Sequence, residues 1–488
     1  MTDLIQTFED EPCGEPSSRA TTRQCLLFLA LEADRPWAGG CRYCLTGTST
    51  VVFGRGSERR AVFGKDAGDT LSIAIPSRSL SGTHARLVRS GAQWSVEDAG
   101  SRNGTYLNGR RVETASIVEG DMLEMGRTFW SLRRACTPVA SAPHLDSADL
   151  AEIDGLSTLL PEAAARNDAL RRVATSMVPV LVLGESGTGK ELVARCVHSL
   201  SGRSGQFVAI NCGAIPHTLV EATLFGHAKG AFTGANSESP GIIRAADRGT
   251  LLLDEIADLP LPSQAALLRV LEESEVTAVG AVRPTKVDVR VIAATHQPIR
   301  ELERAGRFRT DLLARIAGFV HHVPPLRERR EDLGHLVAAL LRRLHQDAAQ
   351  GVVIAPAVAR AMLTYAWPWN VRELKQWLAV NLAVSRDGVL GPEFVPLGQV
   401  VKTDPPPGFP VPPVSPPADE SKPRGFARRP EASSQIRTML TALLREHNGN
   451  VAEVGRVMKK RPTQIRRWAA CFGLDLASFR RPRVDQKP

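Results

Sequence analysis

Between Cys25 and about Arg134 short apolar runs alternate with turn residues: CLLFLAL, TSTVVFGR, TLSIAI, HARLVR, AQWSVED and FWSLRR, divided by Ser-Gly, Asn-Gly and Glu-Gly-Asp. Runs of this length predict β-strands, and their succession predicts an all-β sandwich over residues 24–135, preceded by an extension, 1–23. A mixed small and polar stretch, 136–155, reads as a linker. From residue 156 the period changes. VPVLVL, FVAIN, TLLLDE and VRVIAAT alternate with helical patterns such as KELVARCVHSL, whose Leu192, Val193, Cys196, Val197 and Leu200 share one face. Strands alternating with helices predict a mostly parallel α/β sheet, here over 156–325. After Pro324 and Pro325 only helical patterns follow, so 326–400 reads as a small all-helical subdomain packed on the sheet. Ten prolines between Asp404 and Pro430 mark an extended tether over 401–432. Helical periodicity returns in a short all-α tail, 433–488.

Composition agrees with several folded units. At about 100–200 residues per domain, 488 residues make two to four. Apolar residues are 43% and charged residues 23%, as in globular proteins generally. The apolar run Cys25 to Leu31 is far shorter than the roughly 20 residues of a bilayer span, and no signal-peptide pattern opens the chain, so the cytoplasm is the expected compartment. Eight cysteines in so long a chain do not make a disulfide framework, and the single CxxC, Cys41 and Cys44, has no second pair with which to build a zinc site. The net charge of +9 becomes informative once divided: residues 421–488 hold 16 Lys and Arg against five Asp and Glu. The tail therefore carries about all of the excess, the distribution expected of a nucleic-acid-binding segment.

The chemistry starts at Gly184-Glu185-Ser186-Gly187-Thr188-Gly189-Lys190, which follows the strand VPVLVL and opens a helix. Strand, glycine-rich loop and helix are the context of a P-loop: backbone N–H groups wrap phosphates at a helix N-terminus and the lysine neutralises their charge. Glu191 takes the place of the usual Ser or Thr, so Mg²⁺ must be served by Thr188 or by water on acidic groups. The apolar strand Leu251-Leu252-Leu253 ends in Asp254 and Glu255. Asp254 is placed to hold Mg²⁺ through water and Glu255 to deprotonate the attacking water, which makes ATP and Mg²⁺ the expected cofactors.

With these residues the region 156–395 resembles the central domain of bacterial enhancer-binding proteins, the AAA+ ATPases that activate sigma-54 RNA polymerase. The loop in the form GESGTGKE, glutamate included, is that family's version. Gly230, Ala231, Phe232, Thr233, Gly234 and Ala235 spell its GAFTGA loop, which the resemblance implies projects from a homo-oligomeric ring, hexameric by expectation, and touches the sigma factor. Its glycines suit a mobile tip and its one aromatic a contact surface. The resemblance further implies a switch asparagine in Asn211, two arginines reaching into the neighbouring subunit's site in Arg309 and Arg315, and a sensor arginine in Arg372. Three departures accompany it: His296 where the family has a sensor asparagine, Trp369 where WPGN has glycine, and Thr223 and Ala228 in place of acidic residues before the loop. His296 can offer a ring N–H toward the γ-phosphate or water, and slowed or altered hydrolysis is expected.

Gly54-Arg55, Ser81-Gly82-Thr83-His84 and Ser101-Arg102-Asn103-Gly104-Thr105, with Asn108-Gly109 following, together resemble the forkhead-associated (FHA) domain, a phosphothreonine-binding sandwich. Arg55 suits a phosphate, Ser81 can donate its hydroxyl and Asn103 can hold the peptide backbone, while His84 braces the loop. Gly82 forgoes one auxiliary contact. The tail resembles the Fis-type helix-turn-helix that closes enhancer-binding proteins: a helix over 434–447, a break at Asn448-Gly449-Asn450, a second helix from Val451 to Met458, and a third after Pro462. Thr463, Gln464, Arg466 and Arg467 are then base or phosphate contacts on double-stranded DNA, and Lys459, Lys460 and Arg461 phosphate contacts.

The reading is a sigma-54-dependent activator that senses a phosphothreonine protein or peptide, hydrolyses ATP and binds upstream DNA. An AAA+ remodeller of another target, or a phosphoprotein scaffold, are the alternatives.

Overall fold

The computed structural model describes residues 24–64, 69–135, 144–150, 155–232, 235–345, 351–385, 388–391, 440–447 and 450–458. Two compact units divide the chain, Met1–Asp404 and Pro405–Pro488.

The first unit begins with two facing sheets. Among the described residues, one runs in the order His144–Asp146, Cys41–Cys44, Gln24–Glu32, Thr128–Ala135, Met122–Met125, Thr105–Leu107, Arg110–Val112. The other runs Thr114–Ile117, Gln93–Asp98, Ala85–Ser90, Thr50–Arg55, Thr70–Ile75, Arg60–Phe63. Strand alternation builds the core: Val51, Phe53, Leu71, Ile73 and Ile75 turn inward and join Leu27, Leu29, Trp130 and Leu132. The stretch read as a linker contributes an edge strand, since His144–Asp146 pairs with Cys41–Cys44. The CxxC lies on that second strand with both cysteines buried. Cys41 Sγ lies 3.1 Å from the Asp146 carboxylate and 3.0 Å from Arg59 Nη1, and burial pushes its thiol far up, which leaves it unreactive.

The strand Gln24–Glu32 breaks the alternation. From Leu26 onward every residue is buried, the mark of a strand covered on both faces. Leu27 and Leu29 serve the sandwich, whereas Leu26 and Phe28 pack with Leu159, Leu160 and Ala163 at the start of the α/β domain. A register shift between Leu29 and Leu31 re-aims the rest of the strand. Ala30, Leu31 and Ala33, with Phe129, enter one core with Leu326, Leu333, Val337 and Leu341 of the helical subdomain. The linker reading implied sandwich and motor as separate bodies. Instead they share an apolar seam.

Five parallel strands follow in the order Phe207–Asn211, Thr250–Asp254, Arg290–Thr295, Val180–Leu183, Phe319–His322. Their central members are buried along most or all of their length, because helices such as Lys190–Ser201 and Leu261–Glu273 cover the sheet. The strands Val180–Leu183, Thr250–Asp254 and Arg290–Thr295 all end on one edge, which brings the glycine loop, Glu255 and His296 together at the carboxyl ends of a parallel sheet. The subdomain packs Leu333–His345, Pro356–Thr364 and Asn370–Val384 around Trp367, but it is not all-helical as expected: Val353–Ile354 pairs in parallel with Val389–Leu390. Among the described residues no helix is long and apolar enough to cross a membrane.

In the second unit the described residues form a helical stretch over 440–446 and the helix Val451–Val457, with Leu440, Leu444, Val451 and Val454 buried together. Lys459, Lys460, Arg461, Thr463, Gln464, Arg466 and Arg467, named above for DNA, lie outside the described residues.

Candidate functional site

Gly184 to Gly189 form a loop between the strand Val180–Leu183 and the helix Lys190–Ser201, with Gly189 at φ 107°, a conformation closed to other residues. The first-turn N–H groups of that helix have no partners within it and point at the loop. Lys190 is only 7% exposed. Its ammonium donates to the carbonyls of Gly184 (2.9 Å) and Glu185 (3.3 Å), the place phosphate oxygens would take. Thr188 Oγ1 donates to the Glu185 carbonyl at 2.8 Å.

Two loop residues face elsewhere than expected. Glu191 is exposed and pairs with Arg195 one turn on, at 2.6 Å, so its carboxylate does not line the cradle. Glu185 accepts both guanidinium branches of Arg327, at 2.6 and 2.8 Å, and the Asn370 amide at 3.2 Å. Those donors, Arg327 first, hold its carboxyl below the usual range. Ser186 Oγ accepts from Arg372 at 3.1 Å, and Arg372 N–H donates to the Gly187 carbonyl at 3.2 Å. The lid thus rests directly on the loop. Trp369, with φ −106°, needs no glycine there, and its ring stands exposed.

Sequence reasoning missed three residues of this contact. Arg327 and Asn370 are two. The third is Arg329, almost wholly buried, which donates to the Thr188 carbonyl at 3.0 Å. Its signal was available: a dense run of charge, Leu326-Arg327-Glu328-Arg329-Arg330, directly after a double proline.

Asp254 ends its strand and Glu255 follows in a left-handed conformation, φ 51°. Burial and the Glu255 charge beside it hold the Asp254 carboxyl above the usual range. Burial would do the same to Glu255, but hydrogen bonds from His296 outweigh it, with Lys190 assisting, and hold that carboxyl below the ordinary value. Glu255 Oε2 accepts from His296 Nδ1 at 2.8 Å, the His296 backbone N–H at 3.1 Å and Thr295 Oγ1 at 3.3 Å, while Oε1 lies 3.6 Å from Lys190 Nζ. His296, expected to reach toward the nucleotide, spends its Nδ1 on the carboxylate. Asn211, expected as a switch asparagine, accepts from Ala214 N–H at 3.2 Å and caps the short turn Cys212–Ala214.

Arg309 and Arg315 sit away from this cluster. Arg309 is paired with Asp311 at 2.6 Å on the surface, and Arg315 donates to the Leu271 carbonyl at 2.8 Å.

The loop Gly230 to Ala235 is closed by Gly230 N–H to the Ala235 carbonyl at 2.9 Å and Ala235 N–H to the Phe232 carbonyl at 3.0 Å. Thr233 and Gly234 lie outside the described residues; Ala231 packs beside Gly280. Phe232 is 37% exposed and meets the His227 ring edge to face at 5.0 Å. His227 itself bridges Ser239 and Val279, so the aromatic tip stands on a fixed base.

In the sandwich, Arg55 N–H donates to the Ser81 carbonyl at 2.9 Å, and a side chain at Gly54 would strike the Gly82 carbonyl, so the two loops touch through backbone. Ser81 Oγ accepts from Arg102 N–H at 3.2 Å, and Asn103 Nδ2 donates to the Ser79 carbonyl at 2.7 Å. Asn103 therefore latches the loops together. His84 is buried, with Nδ1 toward Ser81 N–H and Nε2 toward the Gly104 carbonyl, and burial lowers its basicity: it braces, as expected.

Comparison with known proteins assigns domains along the chain. Residues 160–321 match the sigma-54 interaction domain, 327–404 the AAA+ ATPase lid domain and 51–126 the FHA domain. Relatives include the response regulator protein FleR of Pseudomonas aeruginosa, 46% identical over 243 residues, 49% of this chain and 51% of that protein. NtrC of Azospirillum brasilense is 46% identical over 267 residues, 53% of this chain and 54% of its own length. The chain thus spans about half the length of the curated relatives it matches. Among solved structures, NtrX of Brucella abortus in complex with ADP covers 66% of this chain and 70% of its own, at 26% identity and TM-score 0.47. A sigma-54 interaction domain, an AAA+ ATPase lid domain and an FHA domain are thus matched along one chain, whose motor region is similar to that of NtrC-type regulators.

Proposed function

We propose that the chain activates transcription by sigma-54 RNA polymerase, using ATP hydrolysis in a homo-oligomeric ring, and that phosphothreonine recognition by its FHA domain governs that work. The observation that supports it most is the constellation of Lys190, Asp254 and Glu255 on one sheet edge, with the exposed Phe232 on a separate stapled loop of the same domain. The site fits ATP: Lys190 already occupies two carbonyls with its ammonium, and the N–H groups at Gly187 to Glu191 crown a helix N-terminus. It fits Mg²⁺ as well, through the half-buried Asp254, whose raised affinity for a proton a divalent cation would displace. Bound Mg²⁺ would neutralise charge on the β- and γ-phosphates.

Within the chain, Lys190 leaves the loop carbonyls to bind phosphate, and Glu255 takes a proton from the attacking water through Oε1. Arg372, resting on Ser186, reports the phosphate loop to the lid. Arg309 and Arg315 act on a neighbouring subunit's site, where a guanidinium stabilises charge on the transferring phosphate. Phe232 and its loop, Gly230 to Ala235, touch the sigma factor. Arg55, Ser81 and Asn103 take the phosphothreonine peptide, and the basic tail anchors the chain on double-stranded DNA.

In vitro transcription from a sigma-54 promoter, with and without ATP and a phosphothreonine peptide, tests the proposal. Open complexes should require ATP and respond to the peptide. ATP turnover without open complexes would reassign the motor to another target.

A further inference from the structure

Glu255 is held by one oxygen and left working by the other. Oε2 accepts three hydrogen bonds, from His296 Nδ1, His296 N–H and Thr295 Oγ1, which exhausts the directions an oxygen can offer. Oε1 faces Lys190 Nζ, the ammonium that binds phosphate. A carboxylate placed on a left-handed residue at a strand end has little else to fix its rotamer, and Asn211 caps a neighbouring turn instead of reaching it. With Nδ1–H donated to Glu255, that N–H is spent on the carboxylate and is not available to a γ-phosphate.

We propose that His296 is the positioning residue of this ATPase: its imidazole Nδ1–H clamps Glu255 Oε2 and so aims Oε1 at the attacking water, in place of contacting the nucleotide. The inference rests on the ATPase reading above and adds to it the residue that orients the base. The backbone N–H of residue 296 and Thr295 Oγ1 survive substitution at 296 by any residue but proline, so the ring's share can be isolated.

Steady-state ATPase assays of the full chain carrying His296→Ala, His296→Asn or His296→Gln read that share. An asparagine amide N–H falls where imidazole Nδ1 lies, whereas a glutamine amide falls nearer Nε2. His296→Ala and His296→Gln should lower kcat by about tenfold, a fraction of what a general base supplies, with KM for ATP unchanged within about twofold. His296→Asn should retain most of kcat. ADP affinity measured in parallel, unchanged in all three, establishes that each variant folds its nucleotide site. A raised KM with kcat retained would identify a nucleotide contact and overturn the proposal, as would equal loss in the Asn and Gln variants, no loss in the Ala variant, or an ADP site lost in every variant. An unsubstituted chain that binds ADP yet never turns over ATP would overturn the ATPase reading and this inference together.

Discussion

Arg360 of the lid and Glu124 of the sandwich, 236 residues apart in the chain, form an ion pair, Nε to Oε2 at 2.7 Å, across the boundary between their two domains. Glu124 is buried, and burial raises its carboxyl above the usual range despite Arg360. A raised carboxyl contributes stability below its unfolded value near 4.5 and loses that contribution as pH climbs through the folded value. Arg360→Ala leaves the carboxylate buried alone, a cost of about 2 kcal/mol when the partner was itself partly exposed. Denaturant unfolding of the substituted chain should show a larger loss at pH 8 than at pH 5, where a proton can replace the guanidinium. A pH-independent loss would mean that the pair contributes only packing.

The phosphothreonine face gives a second test. Arg55→Ala should abolish binding of a phosphothreonine peptide in titration calorimetry while leaving the melting temperature unchanged, since Arg55 is exposed and its backbone N–H, not its side chain, holds the Ser81 loop. Gly54→Ala should also abolish binding, by driving the Gly82 carbonyl away. Retained affinity in Arg55→Ala would refute the assignment of the phosphate to this loop.

Glu255→Gln keeps the shape and the His296 contact of the base but not its basicity. ATP turnover should fall by about 10²–10⁴-fold, the range typical of a lost general base, with ADP affinity preserved. Comparable turnover would place the base elsewhere.

Substitution in the stapled loop tests whether motor and output are separable. Phe232→Ala should leave ATP turnover within about twofold and eliminate open complexes, because an aromatic anchor is where contact energy concentrates. His227→Ala should weaken open-complex formation partially, since it removes the ring on which Phe232 stands but not Phe232 itself.

Much of this was legible in the chain because it is local. Loop glycines, an apolar strand ending in two acids, and turn residues between short strands are carried by consecutive positions, and the glycine loop, Asp254, Glu255, Phe232 and the sandwich fall where those positions imply. Pairings across long separations were not. Glu124 is one carboxylate among 52 acidic residues, and nothing adjacent to it names Arg360. His296 read as a nucleotide contact because its neighbour in space, Glu255, precedes it by 41 residues. The run CLLFLAL predicted a strand but not its burial on both faces, because the second cover, the helix Leu333–His345, lies far along the chain.

That second cover changes what a domain deletion can teach. Removing residues 1–135 takes Ala30, Leu31, Ala33 and Phe129 out of a core that also belongs to the lid, and leaves Leu333, Val337 and Leu341 facing water. An altered ATPase rate in such a truncation would report the uncovered lid as much as a lost input domain. The sandwich is in this sense a piece of the engine housing, and the signalling role proposed for it is to be tested by point substitution at its loops.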